Sequence, residues 1–140
     1  MDNCNKLIIT LIAVIISISM ASSLGINSPY WKDNPLKMYV GETREVSLAL
    51  ENSIKEETAK ASVSIIEGEK ITEITSGTEY TIPPGSKDNQ IILKVIIPKE
   101  AQIGDSYSIK LSISSLPKQE EGNVQLTIGY NVDLPVLVVD

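Results

Sequence analysis

Residues 107–113, Tyr-Ser-Ile-Lys-Leu-Ser-Ile, alternate without a fault. Tyr107, Ile109, Leu111 and Ile113 fall on one face of an extended chain, and Ser108, Lys110 and Ser112 fall on the other. A period of two, with β-branched residues on the apolar side, is the pattern of a strand that covers a core with one face and meets water with the other. Toward the C-terminus the same period continues. Val124, Leu126, Ile128, Tyr130, Val132, Leu134, Val136 and Val138 share one parity, which predicts a long last strand over 124–138. Pro135 has no N–H to give to a ladder, so that strand is expected at an edge or with a break there.

Working back toward the N-terminus, Pro98 to Asp105 reads as a long corner. Ile91 to Ile97 (IILKVII) is apolar on both faces, which predicts a central strand covered on each side. Pro83-Pro84-Gly85 is a turn signal, because proline presets φ and glycine supplies φ > 0 for a type II geometry. Shorter strand signals precede it at 79–82 and 71–74. The stretch from Ala61 to Ile65 alternates until Ile66 breaks it, and Glu45 to Glu51 alternates cleanly, with Val46, Leu48 and Leu50 on the apolar face. Asn52 to Thr58 is polar and reads as a loop, and Leu36 to Val40 is a short first strand stopped by Gly41. Strand signals recur about every 10 to 15 residues with turn chemistry between them, and no stretch after Gly25 sustains a helical period. The expectation is an all-β, immunoglobulin-like sandwich of about seven strands over 26–140.

The first 25 residues stand apart. A short polar start (Met1 to Lys6) precedes the apolar run Leu7 to Ile18, and small residues follow at Ser19, Ala21, Ser22, Ser23 and Gly25. This is the three-part plan of a secretory signal peptide, expected as an apolar helix with cleavage near Ala21 to Ser23. An uncleaved anchor is the alternative, since Leu7 to Ile26 is long enough to span a bilayer. Cys4 precedes the apolar run, the wrong order for a lipid-modified cysteine.

Composition removes several classes of chemistry. The chain has no histidine and a single cysteine, Cys4, so Ser-His and Cys-His nucleophile pairs, imidazole-dependent metal sites and an internal disulfide are excluded. The net charge of −6 offers no basic patch to release counterions, which argues against nucleic acid or anionic lipid as a partner. No cofactor is implied.

Several turns together resemble the immunoglobulin-like accessory modules of archaeal and bacterial surfaces, including the module attached to alpha-galactosidases and the cell-adhesion-related (CARDB-like) domains. The residues that carry it are Gly41-Glu42-Thr43 before a strand ending at Asn52, then Pro83-Pro84-Gly85 before the long strand. The corner Ile97-Pro98-Lys99-Glu100-Ala101-Gln102-Ile103-Gly104 follows, with Tyr107 opening the next strand. The chain departs from that pattern at Val40, where proline is usual, and at Asp105-Ser106, where one residue is usual. These motifs are turns and corners and imply a fold, with no catalytic or binding residues. The stretch Ser28 to Pro35 also resembles the start of exported archaeal proteins that carry such a domain and continue into a C-terminal membrane helix.

Carboxylate pairs occur at Glu56-Glu57, Glu67 with Glu69, and Glu120-Glu121, but their polar surroundings offer nothing to separate an acid from a base. Lys87-Asp88-Asn89-Gln90 and Gly104-Asp105-Ser106 carry oxygen ligands for calcium, without the spacing of an EF-hand, so turn chemistry explains them equally well. Lys94 and Lys110 lie on strands, with no Ser-x-x-Lys motif leading into a helix for a Ser-Lys dyad, and no Asn-x-Ser/Thr sequon occurs. Tyr107 is expected to bond its hydroxyl back to the chain.

Tyr30 and Trp31 are the candidate contacts for a ligand or partner. They would form an aromatic platform for a sugar ring, or else Trp31 pins the N-terminal segment to the sandwich through its indole N–H. The functional expectation is a non-catalytic module, secreted or at the cell surface, that binds, adheres or spaces within an envelope assembly. Its partner would be an envelope protein or a polysaccharide, with membrane contact only through the N-terminal segment if uncleaved. A pilin-like or archaellum-stator-like subunit with a retained helix is an alternative, although Leu7 after Lys6 is unlike the small residue that prepilin processing usually wants. A carbohydrate-binding module using Tyr30 and Trp31 is another. The last strand, long and apolar on one parity, also suits insertion into a neighbouring subunit.

Overall fold

The computed structural model describes residues 24–116 and 129–140; the expected apolar helix of the leader, residues 124–128 of the last strand and the pair Glu120-Glu121 lie outside the described residues. Nine strands run in order: β1 (Leu24–Asn27), β2 (Leu36–Tyr39), β3 (Thr43–Asn52), β4 (Ala59–Glu67), β5 (Thr72–Ile74), β6 (Glu79–Ile82), β7 (Asn89–Ile96), β8 (Ser106–Ser115) and β9 (Gly129–Val139). They form two sheets, ordered β1-β3-β7-β5 and β2-β9-β8-β4-β6. Every pairing is antiparallel except β2 with β9, where the first strand of the second sheet runs parallel to the last. This is an immunoglobulin-like sandwich. β1 takes in Leu24 and Gly25, which the sequence assigns to the leader because an apolar run hides the start of a short edge strand.

Alternation places the core. Val46, Leu48 and Leu50 of β3 and Ile91, Leu93 and Val95 of β7 meet Ile109, Leu111 and Ile113 of β8 and Leu134, Val136 and Val138 of β9, all buried. Fully burying one such side chain is worth about 1.5–3 kcal/mol. β7 is central in its sheet, as expected, but it is covered on one face only: Ile92 and Lys94 are half-buried and Ile96 is exposed. Its second apolar face comes from standing between neighbouring strands, where Ile92 lies opposite Ser47 and Ile96 opposite Thr43.

Local irregularities fall where the chemistry puts them. Gly85 has φ of 65° and Ser86 N–H donates to the Pro83 carbonyl at 3.2 Å, closing the Pro-Pro-Gly turn. The β4–β8 register shifts between Ile65 and Glu67, a bulge at the residue where the sequence alternation breaks. On β9, Val138 exchanges backbone hydrogen bonds with Gly104 and Asp105 at 2.9 Å each. By strict alternation, even-numbered residues of β9 direct their polar backbone toward β8 and odd-numbered ones away from it. The ring of Pro135 therefore replaces an N–H on the far side, immediately before β2 pairing begins at Val136.

Candidate interaction surface

Tyr30 and Trp31 sit in the loop that carries the chain from β1 in one sheet to β2 in the other. Ser28 Oγ accepts from Tyr30 N–H at 3.2 Å, and Trp31 and Asn34 exchange backbone bonds at 3.2 and 2.9 Å around Lys32 and Asp33. Asn34 Nδ2 then donates to the Pro29 carbonyl at 2.9 Å, so the loop satisfies itself. The two rings part company. Tyr30 is half-buried and packed against the core, whereas Trp31 is 54 % exposed and its indole N–H finds no carbonyl among the described residues. The loop's own hydrogen bonds hold its shape, and Tyr30, in place of the indole, makes the contact with the sandwich core.

The two strand lysines are engaged in ion pairs, Lys94 with Glu73 at 3.3 Å. Lys110 Nζ lies 3.1 Å from Glu67 and 3.9 Å from Asp133 across the outer face of the second sheet. The hydrogen bond and charge of Glu67, helped by Asp133, hold its ammonium above the ordinary lysine range against a small desolvation effect. In the two segments with calcium-type ligands, Asn89 Nδ2 donates to Ser86 Oγ at 2.8 Å and Asp105 Oδ2 accepts from Gln102 N–H at 2.9 Å, both as turn chemistry. Among the described residues no three acidic or cysteine side chains are gathered to hold a metal ion. The tyrosine that bonds back to the chain is Tyr80, whose hydroxyl donates to the Gly77 carbonyl at 2.7 Å and meets Ser76 Oγ; among the described residues Tyr107 has no such bond.

What the structure does gather is an edge. The second sheet ends on one side in β2, whose four residues cover only Val136 to Val139 of β9. Above them, Gly129, Asn131 and Asp133 direct N–H and C=O groups away from β8, and among the described residues nothing pairs with them. On the inner face of this strip Tyr130 and Val132 are only half-buried. Tyr130 buries its hydroxyl without a partner among the described residues, and burial raises its phenol above the ordinary range.

The free edge of β2 itself is closed differently. Gly41, with φ of 73°, turns the chain so that Glu42 N–H donates to the Tyr39 carbonyl at 3.1 Å. The Glu42 carboxylate accepts from Tyr39 N–H at 2.7 Å, and Arg44 Nη1 donates to the Lys37 carbonyl at 3.0 Å. The two side chains are themselves bound, Arg44 Nη2 to Glu42 Oε1 at 2.6 Å. Desolvation would raise the Glu42 carboxyl, but the Tyr39 N–H and Arg44 outweigh it and hold it below the ordinary carboxylate range. Three of the four backbone groups that Lys37 and Tyr39 turn outward are thus occupied by this hairpin's own atoms. Beside this edge lies an apolar pole. Tyr39, 56 % exposed, stands opposite Val139, next to Val40, and Ile103, 66 % exposed, precedes the Gly104 that bonds Val138. Of this arrangement the sequence signals only the break at Pro135, because a strand's alternation reports which face is buried and says nothing of which partner lies alongside.

No known protein-family model matches the chain, and no curated protein matches it in sequence. Solved structures do match in fold. The periplasmic chaperone SfaE superposes with a TM-score of 0.55 at 12 % identity over 82 % of this chain, and the E. coli chaperone DraB with 0.55 at 11 % over 82 %. The match takes in 57 % and 54 % of those chains, so this chain corresponds to little more than half of either. At that identity the likeness speaks for the immunoglobulin-like sandwich alone.

Proposed function

We propose that this domain is a non-catalytic module of an exported, envelope-associated assembly, and that it works by presenting loops and edges to a protein partner. The observation that carries the reading is the exposure of large apolar side chains at one pole, Tyr39, Val40 and Ile103 around the end of β9. A soluble domain that serves only itself gains nothing by leaving such residues in water, and clustered exposed apolar groups mark contact surfaces. The three-part N-terminal stretch supplies the export signal in this reading. The test is protease shaving of intact source cells followed by intact-mass measurement of the native protein. A cell-surface domain whose mass begins near Ser22 to Ile26 is the expected result. Protein recovered only from the cytosol with Leu7 onward intact contradicts it, and surface protein retaining Leu7 selects the helix-anchored subunit.

The exposed Trp31 favours a second reading, a carbohydrate contact through one ring in place of the two-ring platform. Trp31 is the only tryptophan, so its emission reports directly on its surroundings. A blue shift on titration with envelope polysaccharide supports this reading, and an unchanged spectrum at saturating polysaccharide removes it.

A further inference from the structure

We infer that the open strip Gly129 to Asp133 of β9 is a self-pairing edge, which joins the same strip of a second copy antiparallel about a two-fold axis through Asn131. The N–H and C=O groups of Gly129, Asn131 and Asp133 all point to that side, and none has a partner among the described residues. In this register Asn131 faces Asn131 of the second copy, and Gly129 faces Asp133 in both directions, so every outward group on the strip finds a partner. The side chains agree with the backbone. On the outer face no like charges stand opposite, and the smallest residue, Gly129, meets the one charge, Asp133. On the inner face each half-buried Tyr130 lies opposite a half-buried Val132, an aromatic–β-branched pair of the kind that stabilises neighbouring strands. Pro135, with no N–H on this side, ends the ladder before it reaches β2.

Two other exposed edges show why the pairing belongs here. β3 has a similar open strip, since β1 covers only Ala49 to Asn52 and leaves Thr43, Glu45 and Ser47 facing outward. Its matching register places Glu45 against Glu45, a like-charge pair that opposes association. β2 is closed by Glu42 and Arg44. The strip on β9 is the self-complementary one of the three, and joining two copies there makes one continuous sheet of ten strands. The inference rests on this edge geometry and is independent of where the protein resides.

The experiment is sedimentation equilibrium of the full-length chain over a wide concentration range, with its unfolding midpoint measured alongside. The wild type is expected to pass from monomer to dimer and no further. Asn131→Pro removes the two central hydrogen bonds and is expected to weaken dimerisation by about thirtyfold. Should Asn131→Pro fail to fold, Asn131→Asp and Asn131→Lys serve instead, since Asn131 is exposed and neither change touches the core. Each alone is expected to dimerise less than wild type, because identical charges then face one another. Mixed together, they are expected to form a heterodimer tighter than either homodimer. A wild type that stays monomeric to millimolar concentration overturns the inference. So does a dimer indifferent to both charges at position 131, or one that continues into higher oligomers through another surface.

Discussion

Both flanks of the sandwich are closed by a segment that leaves one sheet and joins the other, and the two crossings end differently. On the β5–β6 flank the crossing hands hydrogen bonds to both sheets as it passes. Thr75 N–H donates to the Ile92 carbonyl at 2.9 Å, Ser76 Oγ accepts from Ile92 N–H at 2.9 Å, and Thr78 carbonyl accepts from Val63 N–H at 2.8 Å. Ile71 carbonyl takes Ile96 N–H at 2.8 Å, so the exposed rims of β7 and β4 are satisfied well beyond the short strands themselves. On the β1–β2 flank, among the described residues, the crossing from Ser28 to Pro35 bonds only to itself, around the Trp31–Asn34 hairpin, and strips of β9 and β3 have no strand partner on that side. The lesson is that a sandwich flank is closed by what its connecting segment does with its own polar groups, and not by the presence of a strand.

A pair of proline substitutions breaks the comparison most sharply. Ile92→Pro removes an N–H bonded to Ser76 and is expected to cost about 3 kcal/mol, read as a lowered denaturation midpoint. Asn131→Pro sits at the equivalent outward position of the open flank, in a strand that already tolerates Pro135, and is expected to cost the monomer about 1 kcal/mol or less. Equal losses would mean that the open flank is paired after all. Next in size is Asn52→Ala. The buried Asn52 amide donates to the Glu57 carbonyl at 2.7 Å and to those of Ile82 and Pro83 at 3.3 Å, and its oxygen accepts from Ile54 N–H at 3.0 Å, which fastens the end of β6 to β3. Losing it removes this buried amide's hydrogen bonds and the acceptor of Ile54 N–H, at an expected cost of about 2 kcal/mol by urea denaturation. A loss within error would show that the flank holds without this tie.

The smallest effect concerns the closed edge of β2. Because the Glu42 carboxyl is held below its ordinary range, it binds protons less readily in the folded chain than in the unfolded one. Its contribution is therefore fully present above about pH 4.3 and fades as pH falls through the depressed value. The carboxylate is partly exposed, so the stability gap between wild type and Glu42→Gln is expected at only about 0.5 kcal/mol near pH 6, closing toward pH 3. A gap that stays constant with pH would show that the hydrogen-bonding shape of the side chain matters and its charge does not.

Much of this fold can be read in the sequence, and for one reason: burial of a strand face imposes a period of two. Leu48, Leu93, Leu111 and Leu134 lie in the core as their alternation requires. β1 escapes because Leu24-Gly25-Ile26-Asn27 is too short to show a period and adjoins the apolar leader. Asn52 escapes because it opens a polar stretch that reads as loop, although an amide at the end of an apolar strand is the signal that could have found it. Of the two aromatic candidates, composition singles out Trp31 and Tyr30 together, yet a sequence cannot say which of two adjacent rings turns inward. Of the open edge, Pro135 gives the place where pairing breaks, but the extent of β2 alongside β9 is a length that no residue of β9 encodes.

The most direct test of the unequal flanks is amide hydrogen exchange on dilute, monomeric protein, comparing four outward or rim positions: Asn131 and Asp133 on one flank, Ile92 and Val63 on the other. The unequal closure predicts fast exchange at Asn131 and Asp133, near that of an unstructured amide, with strong protection at Ile92 and Val63. Protection at all four positions would contradict it, as would fast exchange at Ile92 and Val63.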